Sequence, residues 1–511
     1  MVAMSHPGLP ALWGLASLML MLFIALRAVA LPRATVHSTP HLALAGLPLV
    51  GPMMRHITRH PGFLFVLKLV FVALFVLIIA AGLYGTPLPA RNVATVLTWN
   101  LWWAGLVVSV FFVGSAWCAV CPWNTLAGWL ARHRLWRRAD THAGLNLRLP
   151  AGWRNVMPAL ALFIILTWLE LGIGVTLDPF ATALLALLML FLATVFAAVF
   201  EGGAFCQYFC PVGRSIGFYA QLAPVELRPV EPDICARCTT LECFAGSAEV
   251  DPCPTHLVMG RLKQNTYCLS CGNCARSCPH ENVAWRLRSP ASEAMQDSRP
   301  HWDEAWFMIG LLALTGFHGL TMLPAWDTTI KAIARAIGDG RQMLVTFSLA
   351  LGATLLLAMA LYTASIRLSA RLGGIRTAMG AHFNRFAFVA LPLAFAYHLA
   401  HNLGHLLREG AGLGKLLANP FGIGTLPLGM AEKQARMMHM VISQNALFTL
   451  QAGLLIAGFL IAALIARRRL DLAASPNIVQ LRGQLLPVLL FALAVSLFHL
   501  WLLMQPMSMR M

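Results

Sequence analysis

Ten apolar stretches constrain this chain more than any other feature, because each is long enough to cross a lipid bilayer. A helix of about 20 apolar residues spans a hydrocarbon core of roughly 30 Å. The stretches are approximately residues 9–31, 62–85, 93–116, 153–175, 180–200, 306–323, 343–364, 386–407, 441–466 and 485–504. With 59% hydrophobic and only 11% charged residues, the composition excludes a soluble enzyme, a disordered tail protein and a coiled coil. The sequence predicts an all-α polytopic membrane protein with about ten transmembrane helices.

The basic residues indicate how these helices are oriented. The chain has 37 Lys and Arg against 20 Asp and Glu, a formal net charge of +17. In a soluble protein this excess would suggest a nucleic-acid partner, but in a membrane protein it is typical of cytoplasmic loops. Loops that follow the odd-numbered stretches are the richer set at most steps, as at Arg467, Arg468 and Arg469. We therefore expect the protein to lie in the bacterial inner (plasma) membrane, in contact with membrane lipid and with no nucleic acid. These loops would lie in the cytoplasm and both termini outside.

The segment between the fifth and sixth stretches is polar and rich in cysteine and proline. Residues 221–300 contain eight of the 12 cysteines and no apolar run long enough to span a membrane. The chain is accordingly divided into a five-helix domain at residues 1–220, an inserted cytoplasmic domain at 221–300, and a second five-helix domain at 301–511. The first helical domain carries two cysteine pairs that end in proline, and the second carries histidines.

The inserted segment contains two cysteine motifs that resemble each other. The sharper one has the spacing C-x2-C-x2-C-x3-C-P, in which three thiolates ligate one [4Fe–4S] cluster and the fourth ligates a second cluster. Its members are Cys268, Cys271, Cys274 and Cys278. The partner motif, with longer gaps, consists of Cys235, Cys238, Cys243 and Cys253.

Exchange of the last cysteine between these motifs predicts the ligands of a small bacterial-type 2[4Fe–4S] ferredoxin domain. The first cluster would be held by Cys235, Cys238, Cys243 and Cys278, and the second by Cys268, Cys271, Cys274 and Cys253. A pair of zinc sites is the alternative, since two C-x2-C pairs can bind zinc through four thiolates. Structural disulfides are disfavoured in the reducing cytoplasm.

The remaining four cysteines follow the third and fifth stretches at equivalent places. Cys118 and Cys121 precede Pro122, and Cys206 and Cys210 precede Pro211. In the expected topology both pairs emerge on the cytoplasmic surface beside the inserted domain. They could ligate a third iron–sulfur cluster, act as redox-active thiols, or be buried structural thiols.

Paired C-P motifs followed by a two-cluster ferredoxin segment resemble the NapH/NosR/CcoG/MauN group of membrane polyferredoxins. The likeness covers about residues 62–300 and is most specific at FCQYFCPVGR, residues 205–214, which continues into GFYAQLAP at 217–224. The first pair has two residues between its cysteines where that group usually has three. The resemblance implies electron transfer linked to quinol oxidation, to periplasmic reductases or dehydrogenases, or to the maturation of metal centres.

Histidines at membrane depth mark the second helical domain. They are His318, His398, His401, His405, His439 and His499. In the expected topology all of them lie in the outer halves of their helices, and 398, 401 and 405 share one helix face. Three interpretations stay open: axial ligands of a b-type haem, a quinol site in which imidazole accepts a proton, and interhelical hydrogen bonds. Glu170 is a further candidate proton acceptor.

These patterns predict a membrane-bound iron–sulfur protein that links the quinone pool to a redox partner. That partner would be a periplasmic cytochrome or reductase, or a cytoplasmic electron donor. The expected cofactors are two [4Fe–4S] clusters, a third cluster at the C-P cysteines, a b-type haem and quinone. Two other functions fit the same residues: an accessory role in respiratory metal-centre assembly or metal-ion reduction, and redox-sensing metal transport. The sequence names no catalytic residue.

Overall fold

A computed structural model describes residues 5–32, 41–132, 144–299, 301–340, 342–375, 379–409, 412–438, 441–471 and 477–508. The elements before the cysteine-rich segment are β1 (Ser5–His6), α1 (Ala11–Ala30), β2 (His41–Ala43), α2 (Val50–Arg59), α3 (Pro61–Tyr84), α4 (Val93–Val113), α5 (Trp117–Val120), α6 (Pro122–Arg132), α7 (Met157–Ile173), α8 (Pro179–Val199) and α9 (Pro211–Tyr219). Two of these helices contain π-helical turns, α4 at Val96–Trp102 and α7 at Leu169–Ile173, and a third such turn, Phe205–Phe209, lies between α8 and α9.

The cysteine-rich segment and the second helical domain follow. Their elements are β3 (Val225–Pro229), α10 (Pro232–Arg237), α11 (Glu242–Ala245), α12 (Asn273–Ser277), β4 (Val283–Arg288), α13 (Trp302–Thr321), α14 (Pro324–Ile337), α15 (Leu344–Gly373), α16 (Met379–Phe386), α17 (Ala390–Glu409), α18 (Leu413–Ala418), α19 (Met430–Met438), α20 (Gln444–Arg468), α21 (Ile478–Met504) and β5 (Met507–Ser508). The fold class predicted from the sequence, a helical membrane protein with a 4Fe–4S binding domain, is confirmed.

Each of the ten apolar stretches coincides with a helix, but two of those helices differ from a simple span. Among the described residues, eight helices are long and apolar enough to cross a membrane. The fourth stretch forms only the shorter helix α7. The sixth forms α13, and the chain then bends by 92° into α14. The bend occurs because Pro324 begins a new helix and its ring is incompatible with a continuous α-helical turn there.

The two ends of the helical bundle carry different features. At one end, the antiparallel strands β1 and β5 pair through Ser5 with Ser508 and His6 with Met507; we call this end the terminal face. At the other end lie the two C-P cysteine pairs and residues 221–299, and we call it the cysteine face. Both ends of the described chain therefore lie on the same side of the bundle.

The cysteine-rich segment packs with the part of the chain that lies between α1 and α3. Strand β2 pairs with β4, which also pairs with β3, to give an antiparallel sheet in the order β2-β4-β3. Next to it on α2, Arg59 forms an ion pair of 2.7 Å with Glu281, and Thr58 accepts a hydrogen bond of 3.1 Å from the indole of Trp285. Residues 41–59 are thus part of the same structural unit as the inserted segment.

The first helix of the second domain lies at the centre of the molecule. Nearly every residue of α13 is buried, so this helix is surrounded by protein. On the cysteine face, Arg469 after α20 donates hydrogen bonds to the carbonyls of Ala294 and Ser298 at 2.6 and 3.1 Å. This arginine fixes the end of the cysteine-rich segment against the second helical domain.

Candidate iron–sulfur sites

The four cysteines expected to hold the first cluster line one cavity on the cysteine face. Its walls include Cys235, Cys238, Cys243 and Cys278. The amide of Asn282 donates to the sulfur of Cys235 at 3.4 Å, and the backbone N–H of Leu241 lowers the pKa of the Cys238 thiol. We call this group the first cysteine site.

The four cysteines expected to hold the second cluster also lie near one another. Burial is the main cause that raises the thiol pKa values of Cys268, Cys271 and Cys274, and the charge of Cys253 raises each of them further. The N–H groups of Leu257 and Ser270 donate to the sulfurs of Cys253 and Cys268 at 3.3 and 3.4 Å, respectively. We call this group the second cysteine site.

The two C-P pairs form a third cysteine site, built around the starts of two helices. Pro122 and Pro211 are the first residues of α6 and α9, a position where proline is favoured because it needs no N–H partner. Cys210 is the N-cap of α9, and its sulfur accepts from the Gly213 N–H at 3.2 Å. The Cys206 thiol donates to Asn124 on α6 at 3.6 Å, which links the two pairs.

The charges of the four thiols at the third site interact. Burial is the largest cause that raises the pKa of Cys118, and the neighbouring Cys121, Cys210 and Cys206 raise it further. Burial also raises the pKa of Cys121, to about 12. One buried and three half-buried thiols in one place would carry a large cost if all were ionised without a positive charge. The four thiols can therefore ionise together only if a cation lies beside them.

Arg214 supplies positive charge at this site. Its side chain is completely buried, and its charge lowers the thiol pKa values of Cys118, Cys206 and Cys210 against the effect of burial. One guanidinium nitrogen donates to the carbonyl of Thr266 at 2.6 Å, while Nε and Nη2 are buried without a hydrogen-bond partner. Buried donors beside four thiols fit an anionic group such as a thiolate-ligated iron–sulfur cluster.

The third and second cysteine sites are in direct contact. The Ser115 hydroxyl, just before the first C-P pair, donates to the Cys268 carbonyl at 2.7 Å and lies 2.8 Å from the hydroxyl of Ser270. Arg214 lies over the ring of Tyr267, 5.0 Å from its centroid. The second site in turn adjoins the first, since Cys243, Cys274 and Cys278 pack against one small hydrophobic cluster. The three sites form a continuous series.

A buried ionic network supports the second site, and the sequence analysis did not identify it. Glu226 binds Arg286 and Arg288 at 2.7 Å each, and Arg288 also binds Glu293 at 2.7 Å. Although burial alone would raise its pKa, the guanidiniums around Glu226 hold the pKa of that carboxyl below its ordinary value. Arg228 joins the network and lowers the pKa of Cys268. The sequence signal for this network is the spacing of its charged residues. Glu226 and Arg228 on β3, like Arg286 and Arg288 on β4, are two residues apart and so lie on one face of the strand.

A cavity lined by tryptophans lies within the first helical domain. It is partly open, and its walls include Trp99, Trp102, Trp103, Trp123, Glu170 and Thr182. Pro211 and Val212, next to Cys210, form part of its wall. Two π-helical turns contribute side chains to it, those at Val96–Trp102 and Leu169–Ile173, and such turns are frequent at functional sites. We call this cavity the tryptophan pocket.

Three of the predicted histidines, His318, His401 and His499, belong to one cluster of rings around Tyr397. His398 lies 3.2 Å from the Tyr219 hydroxyl, and His499 stacks on Tyr397 with ring centroids 4.3 Å apart. The ring of His318 meets that of His401 at 5.4 Å. His439 lies outside the described residues, as does the side chain of His405.

Among the described residues, no group of three or more His, Cys, Asp or Glu side chains is arranged to hold a single metal ion. A cubane cluster does not require such convergence, because each thiolate binds a different iron. The b-type haem and the histidine metal site stay predictions.

Comparison with known proteins identifies the class. A family model described as a 4Fe-4S binding domain matches residues 95–139 and 182–223. Each matched stretch contains one C-P pair, and neither includes residues 224–300. No curated protein and no solved structure matches the chain. The chain is therefore an iron–sulfur protein of ferredoxin type with membrane-compatible helices, while its cluster number and individual ligands stay predictions.

Proposed function

We propose that this protein transfers electrons between the quinone pool and a redox partner through [4Fe–4S] clusters bound at the three cysteine sites. The observation that carries the proposal is the third site, where both stretches matched by the 4Fe-4S family model bring their cysteine pairs together around Arg214. When bound, such clusters supply one-electron relay.

The chain's own residues hold the three sites in order from the membrane to solvent. Ser115 and Arg214 fix the third site against the second, and Arg228 of the ionic network around Glu226 acts on Cys268 of the second site. The first site is farthest along this series, and exposed residues such as Arg237 and Thr240 surround its cysteines. This order supports a redox partner that docks at the cysteine face.

The tryptophan pocket supports the link to quinone. It is apolar and aromatic, and it has the few polar groups that ligand pockets use for orientation, among them Thr98, Glu170 and Thr182. Its wall ends at Pro211, directly after Cys210. A flat hydrophobic ring bound there would lie beside the third cysteine site.

The other functions considered from the sequence gain less support. Redox-sensing metal transport and metal-ion reduction both require a place that binds a single metal ion. In the described part of the chain no group of His, Cys, Asp and Glu side chains is arranged in that way. The cysteine sites alone are compatible with an accessory role in metal-centre assembly.

Iron, acid-labile sulfide and haem determination with EPR on the purified protein tests the cofactors. Three cubane clusters correspond to about 12 irons per chain. The double variant Cys121→Ser/Cys210→Ser is expected to lose about four of them and to accept no electrons from decylubiquinol, while dithionite still reduces the remaining clusters. The control is Ser109→Ala, because the Ser109 hydroxyl donates to the Leu106 carbonyl of its own helix. Zinc without sulfide, or a double variant that decylubiquinol reduces normally, would contradict the proposal.

A further inference from the structure

Side chains from three helices lie in line between the tryptophan pocket and the terminal face. Glu170 of α7 lines the pocket. Its Oε1 lies 3.9 Å from Nδ1 of His318 on α13. The ring of His318 meets the ring of His401 on α17 edge-on, with centroids 5.4 Å apart. One bridging water can connect the Glu170 carboxylate to the His318 imidazole across 3.9 Å, and the two imidazole rings are in contact.

The far end of this line opens into a second cavity. His401 lines it together with Gln444, Gln451 and Gln505. Pro7 and Met507 also contribute, so the cavity lies beside the paired strands β1 and β5 of the terminal face. Amide side chains around an imidazole make this end of the line polar.

The chemistry of these residues suits proton transfer. Ionisable groups at membrane depth are costly and usually functional. Glu170 lies in the π-helical turn Leu169–Ile173, and imidazole can both accept and release a proton near neutral pH. A quinol loses two protons together with its two electrons, so a pocket that oxidises quinol needs a proton acceptor.

We propose that Glu170, His318 and His401 conduct protons from a quinol in the tryptophan pocket to the terminal face. This inference rests on the proposed function and adds the fate of the protons. The quinol gives its electrons, one at a time, to the acceptor at the cysteine face and its two protons to Glu170, and becomes quinone. His318 and His401 pass each proton to the cavity at Gln444. Electrons and protons therefore leave toward opposite faces.

The test uses the purified, cluster-loaded protein in lipid vesicles that contain the pH dye pyranine. Decylubiquinol is the donor, and external ferricyanide, which does not cross the membrane, selects molecules whose cysteine face points outward. The vesicle interior is expected to acidify. Glu170→Gln and His401→Phe should slow this acidification by about 100-fold, the range for loss of a proton-transfer group. His382→Gln is the matched control, because this buried histidine hydrogen-bonds to Ser369 far from the line.

A second readout measures binding without turnover. Decylubiquinone should quench the fluorescence of the pocket tryptophans, and Trp102→Leu should weaken this binding at least tenfold. His401→Phe should leave it unchanged, since His401 does not line the pocket. Unaltered quenching in Trp102→Leu, or normal interior acidification in both Glu170→Gln and His401→Phe, overturns the route alone. A wild-type protein that takes no electrons from decylubiquinol overturns the proposed function and the route together.

Discussion

At the residue scale, Cys253 and Cys278 decide which ligands belong to the first and which to the second cysteine site. Cys278 is the last cysteine of the C-x2-C-x2-C-x3-C-P motif but lines the cavity of the first cysteine site. We expect Cys278→Ser to remove the same EPR signal as Cys235→Ser, and Cys253→Ser the same signal as Cys271→Ser, each with loss of about four irons. If Cys278→Ser instead matched Cys271→Ser, the exchange of ligands between motifs would be wrong.

Arg214 sets the charge around the third site. Its substitution by alanine removes a buried cation whose charge-assisted interactions are worth about 1.5–3 kcal/mol. Because a cluster gains negative charge on reduction, the midpoint potential of the third site should fall, by roughly 60–130 mV for a one-electron couple. Potentiometric EPR titration measures the shift.

Two variants make the Arg214 experiment specific. Arg214→Lys keeps the positive charge but loses the planar guanidinium group, so we expect a smaller fall in the midpoint potential of the third site. Arg148→Ala is the control, since that side chain is 80% exposed and pairs only with Glu201 among the described ion pairs. An unchanged potential in Arg214→Ala would show that this guanidinium does not act on the cluster.

At the scale of elements, helix α9 packs directly on the chain that leads into the second site. A Cβ atom on Gly217 would lie 2.1 Å from the carbonyl oxygen of Thr266, which is backbone and cannot rotate away. Gly217→Ala should therefore separate α9 from this loop and destabilise the protein by about 1–3 kcal/mol. A lowered Tm in detergent and weakened magnetic coupling between the second and third sites are the measurements.

Gly128 on α6 offers the matched control for this substitution. It is also helical, but an added Cβ there meets no atom within 4 Å. Gly128→Ala should leave Tm unchanged or raise it slightly, as alanine favours helix more than glycine does. Equal effects of the two substitutions would show that the contact with Thr266 does not matter.

At the scale of the whole molecule, the bend between α13 and α14 decides the orientation of everything after it. If α13 crosses the membrane, Gly338 lies on the terminal face with β1 and β5, and Ser289 and Gly374 lie on the cysteine face. Fusions ending at Gly338 and Gln505 should give active alkaline phosphatase in the periplasm, and those ending at Ser289 and Gly374 should give fluorescent green fluorescent protein. If the two reporters were active at the opposite positions, the cysteine face would lie outside the cytoplasm. If instead the Gly338 fusion were fluorescent like the one at Ser289, α13 and α14 would form a re-entrant loop instead of crossing the membrane.

The sequence predicted the parts of this fold that depend on local composition. Apolar runs located the long membrane-compatible helices but not shorter ones such as α2, α6 and α14, and cysteine spacing indicated which cysteines to expect near one another. Strand β2 was missed because three residues give no periodicity, and its partner β4 is more than 200 residues away. The burial of Arg214 was missed because arginine beside a membrane helix usually marks an exposed cytoplasmic loop. The tryptophan pocket was missed because its walls come from separate helices that only packing brings together.

The pairing of β1 with β5 has a consequence for biosynthesis. Ser5 and His6 leave the ribosome before any of the described helices is made, yet their partners, Ser508 and Met507, follow all of those helices. β2 likewise waits for β4. Contacts so distant in sequence form slowly, so β1 and β2 remain without their partner strands while the rest of the chain is translated. Cofactor insertion at the cysteine face could take place during this interval, before the second helical domain covers α9.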